Sequence, residues 1–347
     1  MKLKIAAFAA LTVLGLSAQA APFYQLESAL TIKSPSAPSW DYLTYDTTRD
    51  CLYIARRDDG ILIYDAKAKQ ITGALEGSAG GNSTILVPEF DRAYVVKQDG
   101  NLLVYQLSTL KKTGVINVGD NADNAFYDPV TKQLLVTQGD SSQVTFVDAK
   151  TGASNGVLKI DSESIEGCVA DGEGNFYTAL RDKDKVIKID ARQRALLGEW
   201  AIGHHVKPNS VAFDPVAKRL FVTTRGENAA LLVYDPSGKI VAETAIGLNN
   251  DCIVFDPETK KIYTANGWDG TLVIINQVDA DTYKLAEAPT TRPWARTMAL
   301  DPKTKTVYLV TAEGTVDTSK PWKASVSPFY PNKYFKDTFT LLTYTRK

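Results

Sequence analysis

The sequence predicts an all-β fold, a seven-bladed β-propeller, on three observations. A motif of apolar strand, Asp-Pro-type turn, basic residue and aromatic strand recurs along the chain. Its best copies are Phe213-Asp214-Pro215-Val216-Ala217-Lys218-Arg219-Leu220-Phe221-Val222 and Phe255-Asp256-Pro257-Glu258-Thr259-Lys260-Lys261-Ile262-Tyr263-Thr264. Second, the turn anchors Asp46, Val87, Asp128, Asp171, Asp214, Asp256 and Asp301 follow one another at intervals of 41 to 45 residues. A fixed period of that length, with several short strands in each repeat, is the pattern of a propeller blade. Third, one strand is missing at the end of the chain and one is left over at its start.

In chain order, residues 1–20 read as a secretory signal peptide. Lys2 and Lys4 precede an apolar stretch, and Ala18-Gln19-Ala20 is a small-x-small cleavage site. No later stretch approaches the ~20 apolar residues of a membrane-spanning helix. The expected product is therefore an exported protein, periplasmic or secreted, that is not embedded in a membrane.

Residues 21–347 then form a single domain, because one ring of repeats uses the whole length. Each repeat divides into four short strands; in the fifth blade these are 210–213, 219–223, 230–234 and 240–245. Asp-Pro-x-x-Lys joins the first two, since proline presets φ and the aspartate accepts local backbone hydrogen bonds. Asp59-Gly60, Asp99-Gly100 and Asp269-Gly270 mark the second hairpin. The seventh copy ends with its third strand, 339–345, whereas 24–33 precede the first copy without a partner. The N-terminal strand is thus predicted to complete blade 7 and close the ring, which removes open sheet edges. Blade 7 also carries a long insertion, about 312–338, containing Trp322, Phe329, Tyr330 and Tyr334. Its length and aromatic content predict either a lid over the channel mouth or a flap packed on the closure blade.

Charge narrows the partners. The chain has 39 Lys and Arg against 40 Asp and Glu, a balance that gives nucleic acid no electrostatic footprint. A small polar molecule or a protein partner is expected instead, bound by a monomer. Cys51, Cys168 and Cys252 fall in blades 1, 4 and 6, too far apart for a disulfide, which predicts small buried apolar roles.

The repeat also aligns the chain with itself. Five residues before each anchor stand Asp41, Asn82, Asp123, Glu166, Asn209, Asp251 and Arg296, all polar. In blade 4, anchoring on the aromatic strand selects Ile165 in place of Glu166. Two residues later the series is mostly apolar, although the two positions share strand parity; depth in the channel is the expected reason. Oxygen donors around a channel suit a hard divalent cation such as Ca²⁺. This makes Asp41, Asn82, Glu166, Asn209 and Asp251 candidate metal ligands, and a water-filled polar channel without an ion is the other reading.

Loops after each second strand emerge on the same face and carry Arg56, Arg57, Lys97, Gln138, Arg181, Arg225, Asn266 and Trp268. Cationic groups above an acidic centre either pair with it or hold an anionic ligand. Asp41, Asp123, Arg296, Arg57, Lys97, Arg181, Arg225 and Trp268 are the resulting ligand-binding candidates. His204 and His205 are the only histidines. Adjacent residues in an extended chain point to opposite sides, which predicts that they do not share one metal. Either is a candidate general base at the mouth, and Arg296 is a third catalytic candidate. No GxSxG, HExxH or CxxC motif occurs.

Tyr263-Thr264-Ala265-Asn266, Phe221-Val222-Thr223-Thr224 and Leu135-Val136-Thr137-Gln138 resemble the signature strand of the YVTN β-propeller family. Arg296-Thr297-Met298-Ala299-Leu300-Asp301-Pro302 resembles the corresponding segment of exported YncE-like proteins. The resemblance spans the chain after residue 20 and implies the fold. It implies no single function, because that family includes binding proteins and surface-layer proteins. By fold-level analogy, gluconolactonase and paraoxonase propellers hold Ca²⁺ with Glu, Asp and Asn at the channel mouth, though they have six blades. A binding or interaction protein, and a metal-assisted hydrolase or lyase of lactonase type, both remain open.

Overall fold

The computed structural model describes residues 23–322 and 331–347; the proposed signal peptide, Pro328, Phe329 and Tyr330 lie outside them. Seven four-stranded antiparallel sheets form a seven-bladed β-propeller. Blade 5 typifies them, with Pro208–Asp214 innermost, then Arg219–Thr224, Ala230–Tyr234 and Ile240–Ala245 at the rim.

Burial explains the pattern of each strand. Second strands pack between neighbouring blades on both faces, so Cys51–Ala55 and Gln133–Gln138 are buried throughout. Rim strands such as Lys111–Asn117 keep one face in solvent and alternate accordingly. The apolar clusters lie between blades: Tyr53 and Ile61 of blade 1 pack with Val95, Leu103 and Tyr105 of blade 2.

The turns between first and second strands are built alike in six of the blades, four of them Asp-Pro, one Asp46-Thr47 and one Asp171-Gly172. Asp46, Asp128, Asp171, Asp214, Asp256 and Asp301 are all buried, and each accepts hydrogen bonds from its own turn. Asp128, for example, takes the amides of Val130 at 3.2 Å and Thr131 at 2.9 Å and the Thr131 hydroxyl at 2.6 Å. The residue entering the second strand has a left-handed backbone in blade after blade, with φ of 59° at Lys132, 54° at Lys218, 51° at Lys260 and 61° at Lys305.

Ring closure follows the expected route. Tyr24–Thr31 forms the rim strand of blade 7, antiparallel to Thr340–Arg346, with Tyr24 opposite Arg346 and Thr31 opposite Thr340. Tyr24 ties this strand both to its own blade, where its hydroxyl donates to the Lys305 carbonyl at 2.7 Å, and to blade 6, where its ring meets Tyr263 edge-on at 5.9 Å. On the other side, Val310, Phe339 and Leu341 of blade 7 pack with Leu52 and Ile54 of blade 1.

The cysteines are free thiols. Burial pushes Cys51 up to about 11 and Cys252 to about 12, so neither is a nucleophile near neutral pH. Among the described residues, no helix is long and apolar enough to cross a membrane.

Candidate functional site

In four of the seven blades the inner strand begins with a distortion that places the polar residue. Pairing with the second strand slips between Gly81 and Ser83, between Ile165 and Cys168, between Pro208 and Val211, and between Asn250 and Cys252. Asn82, Glu166, Asn209 and Asp251 each lie within such a β-bulge. A bulge inserts an extra residue and re-aims its side chain. It therefore breaks the parity that the polar position and the apolar one after it would otherwise share. In these four blades the bulge is the more specific cause of the separation, whereas Asp41, Asp123 and Arg296 precede strands that pair without a register shift. The bulge also lengthens the inner strand of blade 5, which starts at Pro208.

At the channel mouth these residues surround a cavity of about 930 Å³. Asp41, Asp123, Glu166, Asp251 and Arg296 line it, together with Arg57, Arg181, Arg225 and Trp268 from the second-to-third strand loops. In blade 4 both Ile165 and Glu166 border the cavity, and Glu166 brings the charge. Asn82 and Asn209 are buried at 1 % and 2 % exposure. Asn209 accepts from Arg181 and donates to the Asn250 carbonyl at 3.0 Å and to Asp251 at 3.2 Å, so it braces the lining.

Not every predicted residue meets the cavity. Lys97 pairs with Asp99 of its own hairpin at 2.9 Å, and its neighbour Gln98 borders the cavity. Arg56 is 1 % exposed, lies 4.2 Å over the Phe339 ring and pairs with Asp59 at 2.6 Å. Gln138, fully buried, donates to the Gly119 and Asp120 carbonyls at 2.9 Å each, and Asn266 is likewise buried.

The lining is a set of arginine–carboxylate pairs. Arg57 meets Asp41 at 2.5 Å, and Arg181 meets Glu166 at 2.6 Å. Asp251 is gripped by Arg225 and, at 2.6 Å, by Arg296. Arg296 also lies 5.2 Å from the centre of the Trp40 ring, a cation–π contact that fixes its position. Burial alone would raise the Asp251 carboxyl, but Arg225, Arg296 and Arg181 outweigh it and hold the group at about 2.

Asp123 differs. No side-chain hydrogen bond or ion pair is found for its carboxyl among the described residues; its backbone amide donates to the Thr137 carbonyl at 3.0 Å. Burial, then repulsion from Asp41 and Glu166, pushes the carboxyl up to about 8 against the pull of Arg57. Beside it, burial and the same carboxylates raise the Tyr42 phenol well above its ordinary value, so it stays a neutral hydrogen-bonding group. Among the buried donors that lack acceptors among the described residues are the Nε atoms of Arg57 and Arg181, Nδ2 of Asn82 and Nε1 of Trp40.

Residues outside the polar series complete the wall. Asn121, Asn249 and Trp294, each two positions before a member of that series, line the cavity; the same self-alignment extended by two residues finds them. From the blade 7 insertion, Lys320, Pro321, Pro331, Asn332 and Tyr334 join the lining. Its base is a short hairpin in which Gly314–Val316 pairs with Asn332–Tyr334. Tyr334 packs on Trp40 at 4.6 Å and on Trp294 at 6.4 Å. The described part of the insertion is therefore a side wall of the cavity, packed on blades 1 and 7.

The histidines lie elsewhere. They follow Gly203, whose φ of +66° turns the connection between blades 4 and 5. In a turn the alternation of an extended chain does not apply, and the two rings lie together, 4.2 Å between centres. His205 contacts Asn228 and, on the rim strand, Glu243. This places the pair at the outside of blade 5 rather than against the channel carboxylates, contrary to a role as base at the mouth.

No family model matches the chain, and no curated protein matches it in sequence. Solved structures do match in shape. A chain in the crystal structure of the mitotic checkpoint complex superposes with a TM-score of 0.70 at 14% identity, covering 89% of this chain and 94% of that one. A chain of Kuenenia stuttgartiensis hydrazine synthase gives 0.68 at 15% identity, covering 81% and 94%. At these identities the likeness is one of fold, and it is with proteins of unlike roles that this chain shares its architecture.

Proposed function

We propose that this chain is an exported binding propeller of the YVTN type, whose channel mouth holds a small, oxygen-rich ligand such as a carboxylate or hydroxy acid. The observation that carries this reading is the set of four guanidinium groups, Arg57, Arg181, Arg225 and Arg296, lining one cavity, of which Arg57 Nε and Arg181 Nε are buried without acceptors among the described residues. Buried donors favour an acceptor, and a ligand oxygen supplies one. Trp268, Trp294 and Tyr334 add aromatic surface to the same cavity, in the usual mix of apolar wall and few polar anchors. Asp123 in its neutral form accommodates an anion that an ionised carboxylate would repel. Export rests on the composition of residues 1–20.

The paired arginines weaken the case for Ca²⁺ at this place. Asp41, Glu166 and Asp251 each have a guanidinium as counter-charge, so the ring needs no cation for neutrality. A hydrolase or lyase would have to rely on Asp123 as its proton-transfer group, since the histidines are remote.

Thermal shift with a panel of small carboxylates, hydroxy acids, sugar acids and neutral polyols tests the proposal. At least one acid is expected to raise the melting temperature by a few degrees at saturating concentration, and Arg181→Gln is expected to remove the shift. A panel without effect, or a shift retained in the variant, would count against the site.

A further inference from the structure

We propose that His204, His205 and Glu243 form a binding site for a first-row divalent metal ion of the Zn²⁺ class, on the outer side of blade 5 and independent of the channel mouth. The three ligand atoms lie within 4.8 Å of one another. They come from two parts of the blade: the turn after Gly203 supplies both imidazoles, and the rim strand Ile240–Ala245 supplies the carboxylate.

His205 is prepared for this role. Its side chain is 2 % exposed, and its Nδ1 lies 3.1 Å from the Asn228 carbonyl. A carbonyl only accepts, so Nδ1 carries the proton and, in the neutral ring, the lone pair resides on Nε2. A backbone carbonyl that fixes tautomer and ring orientation is the usual outer support of a metal-bound histidine. Nε2 itself is buried without a hydrogen-bond partner among the described residues.

The contact between His205 and Glu243 has the geometry of two ligands of one ion. Nε2 and Glu243 Oε1 are 3.1 Å apart, yet their alignment does not make a hydrogen bond. Two tetrahedral ligands at metal distances of about 2.0–2.1 Å are separated by roughly 3.3 Å, and their lone pairs converge on a point off the line between them. A neutral imidazole and a carboxylate set that way repel each other unless a cation lies between. His204 and Glu243 are exposed, which gives an ion an open approach. Two imidazoles and one carboxylate select a borderline transition metal over Ca²⁺, which prefers six or more oxygens. Three protein ligands leave a fourth position for water or an external donor.

The test uses purified, chelator-stripped protein and Zn²⁺ alone, followed by calorimetry and by competition with a chromophoric zinc indicator. One Zn²⁺ is expected per chain, with affinity at least tenfold weaker in His204→Asn and in Glu243→Gln. Both residues are exposed, and unchanged far-UV circular dichroism of each variant checks its fold. Arg181→Gln is expected to leave Zn²⁺ binding unchanged, which separates this site from the channel mouth. Co²⁺ in place of Zn²⁺ is expected to give visible absorption that His204→Asn alters. No stoichiometric Zn²⁺ binding would overturn the proposal and leave an imidazolium–carboxylate contact in its place. Binding equal in wild type and both variants, or equal for Ca²⁺, would overturn it too.

Discussion

Both ends of the inner strands carry carboxylates, and they are used in opposite ways. At the turn end, Asp46, Asp128, Asp171, Asp214, Asp256 and Asp301 are buried and turn their oxygens to the chain itself. Amides two or three residues onward satisfy them, as at Asp214, where Val216 donates at 2.9 Å and Ala217 at 3.2 Å. At the mouth end, Asp41, Glu166 and Asp251 face arginines from other strands, and Asp123 has no such partner. The solution at the turn end repeats nearly unchanged in six blades, blade 2 using the 3-10 turn Pro88–Phe90 after Val87 instead, because each blade must join its first two strands by a short local turn. The mouth differs from blade to blade, in residue type and in pairing. Repetition marks what the fold requires; departure from it marks what the ring holds in its centre.

Both ends depend on a closed ring, so the largest effect is expected from deleting residues 339–347. Phe339, Leu341, Leu342 and Tyr344 are buried there, each contributing on the order of 1.5–3 kcal/mol. Their sum rivals the ~5–15 kcal/mol that stabilises an ordinary domain. Loss of cooperative thermal unfolding is the predicted outcome, and an unchanged melt would refute the closure.

Next comes Asp251→Asn, which leaves Arg225 and Arg296 without their counter-ion. Removing one partner of a buried pair costs about 3–5 kcal/mol, measurable by urea unfolding at pH 7. The sign with pH follows from the lowered carboxyl. Held at about 2 against an ordinary 3.8, it stabilises the fold above pH 3.8, and that contribution is lost as pH falls through 2. Wild type and variant should therefore converge in acid; a gap that persists at pH 2 would contradict the pairing.

At the turn end, Asp128→Ala should cost less, about 1–3 kcal/mol, because it strands the amides of Val130 and Thr131 without introducing an unpaired charge. Urea unfolding measures this. The variant should keep whatever ligand-induced thermal shift the wild type shows, since Asp128 belongs to the opposite face. Loss of that shift would blur the division between the two ends.

Much of this contrast was legible in the sequence, and the reasons are physical. The Asp-Pro turns repeat because a turn is a local structure whose residues are adjacent in sequence. Closure by Tyr24–Thr31 was legible because an unpaired strand at one end matched a missing one at the other. The polar series at Asp41, Asp123 and Glu166 emerged from aligning the repeats. The bulges that re-aim Glu166 and Asp251 did not, because strand parity read from sequence presumes a regular ladder. Nor did the pairing of Arg225 and Arg296 with Asp251, which joins blades 5 and 7 to the blade 6 between them. Lys97 was misplaced because loop position alone does not say whether a charge turns inward or finds its own hairpin. The two histidines were misread because Gly203 makes a turn where an extended connection was expected.

Asp123 tests the central contrast most directly, since of the four carboxyls in the polar series it is the one without an arginine partner. ¹³C-detected NMR titration of side-chain carboxyls, with Asp123→Asn to assign the signal, measures it. Asp123 is expected to titrate near pH 8 while Asp251 stays near 2. Wild type is expected to lose stability relative to Asp123→Asn as pH rises from about 4 to 8, with a constant gap above. An Asp123 carboxyl titrating near 4, with no pH-dependent gap between the two proteins, would contradict the contrast.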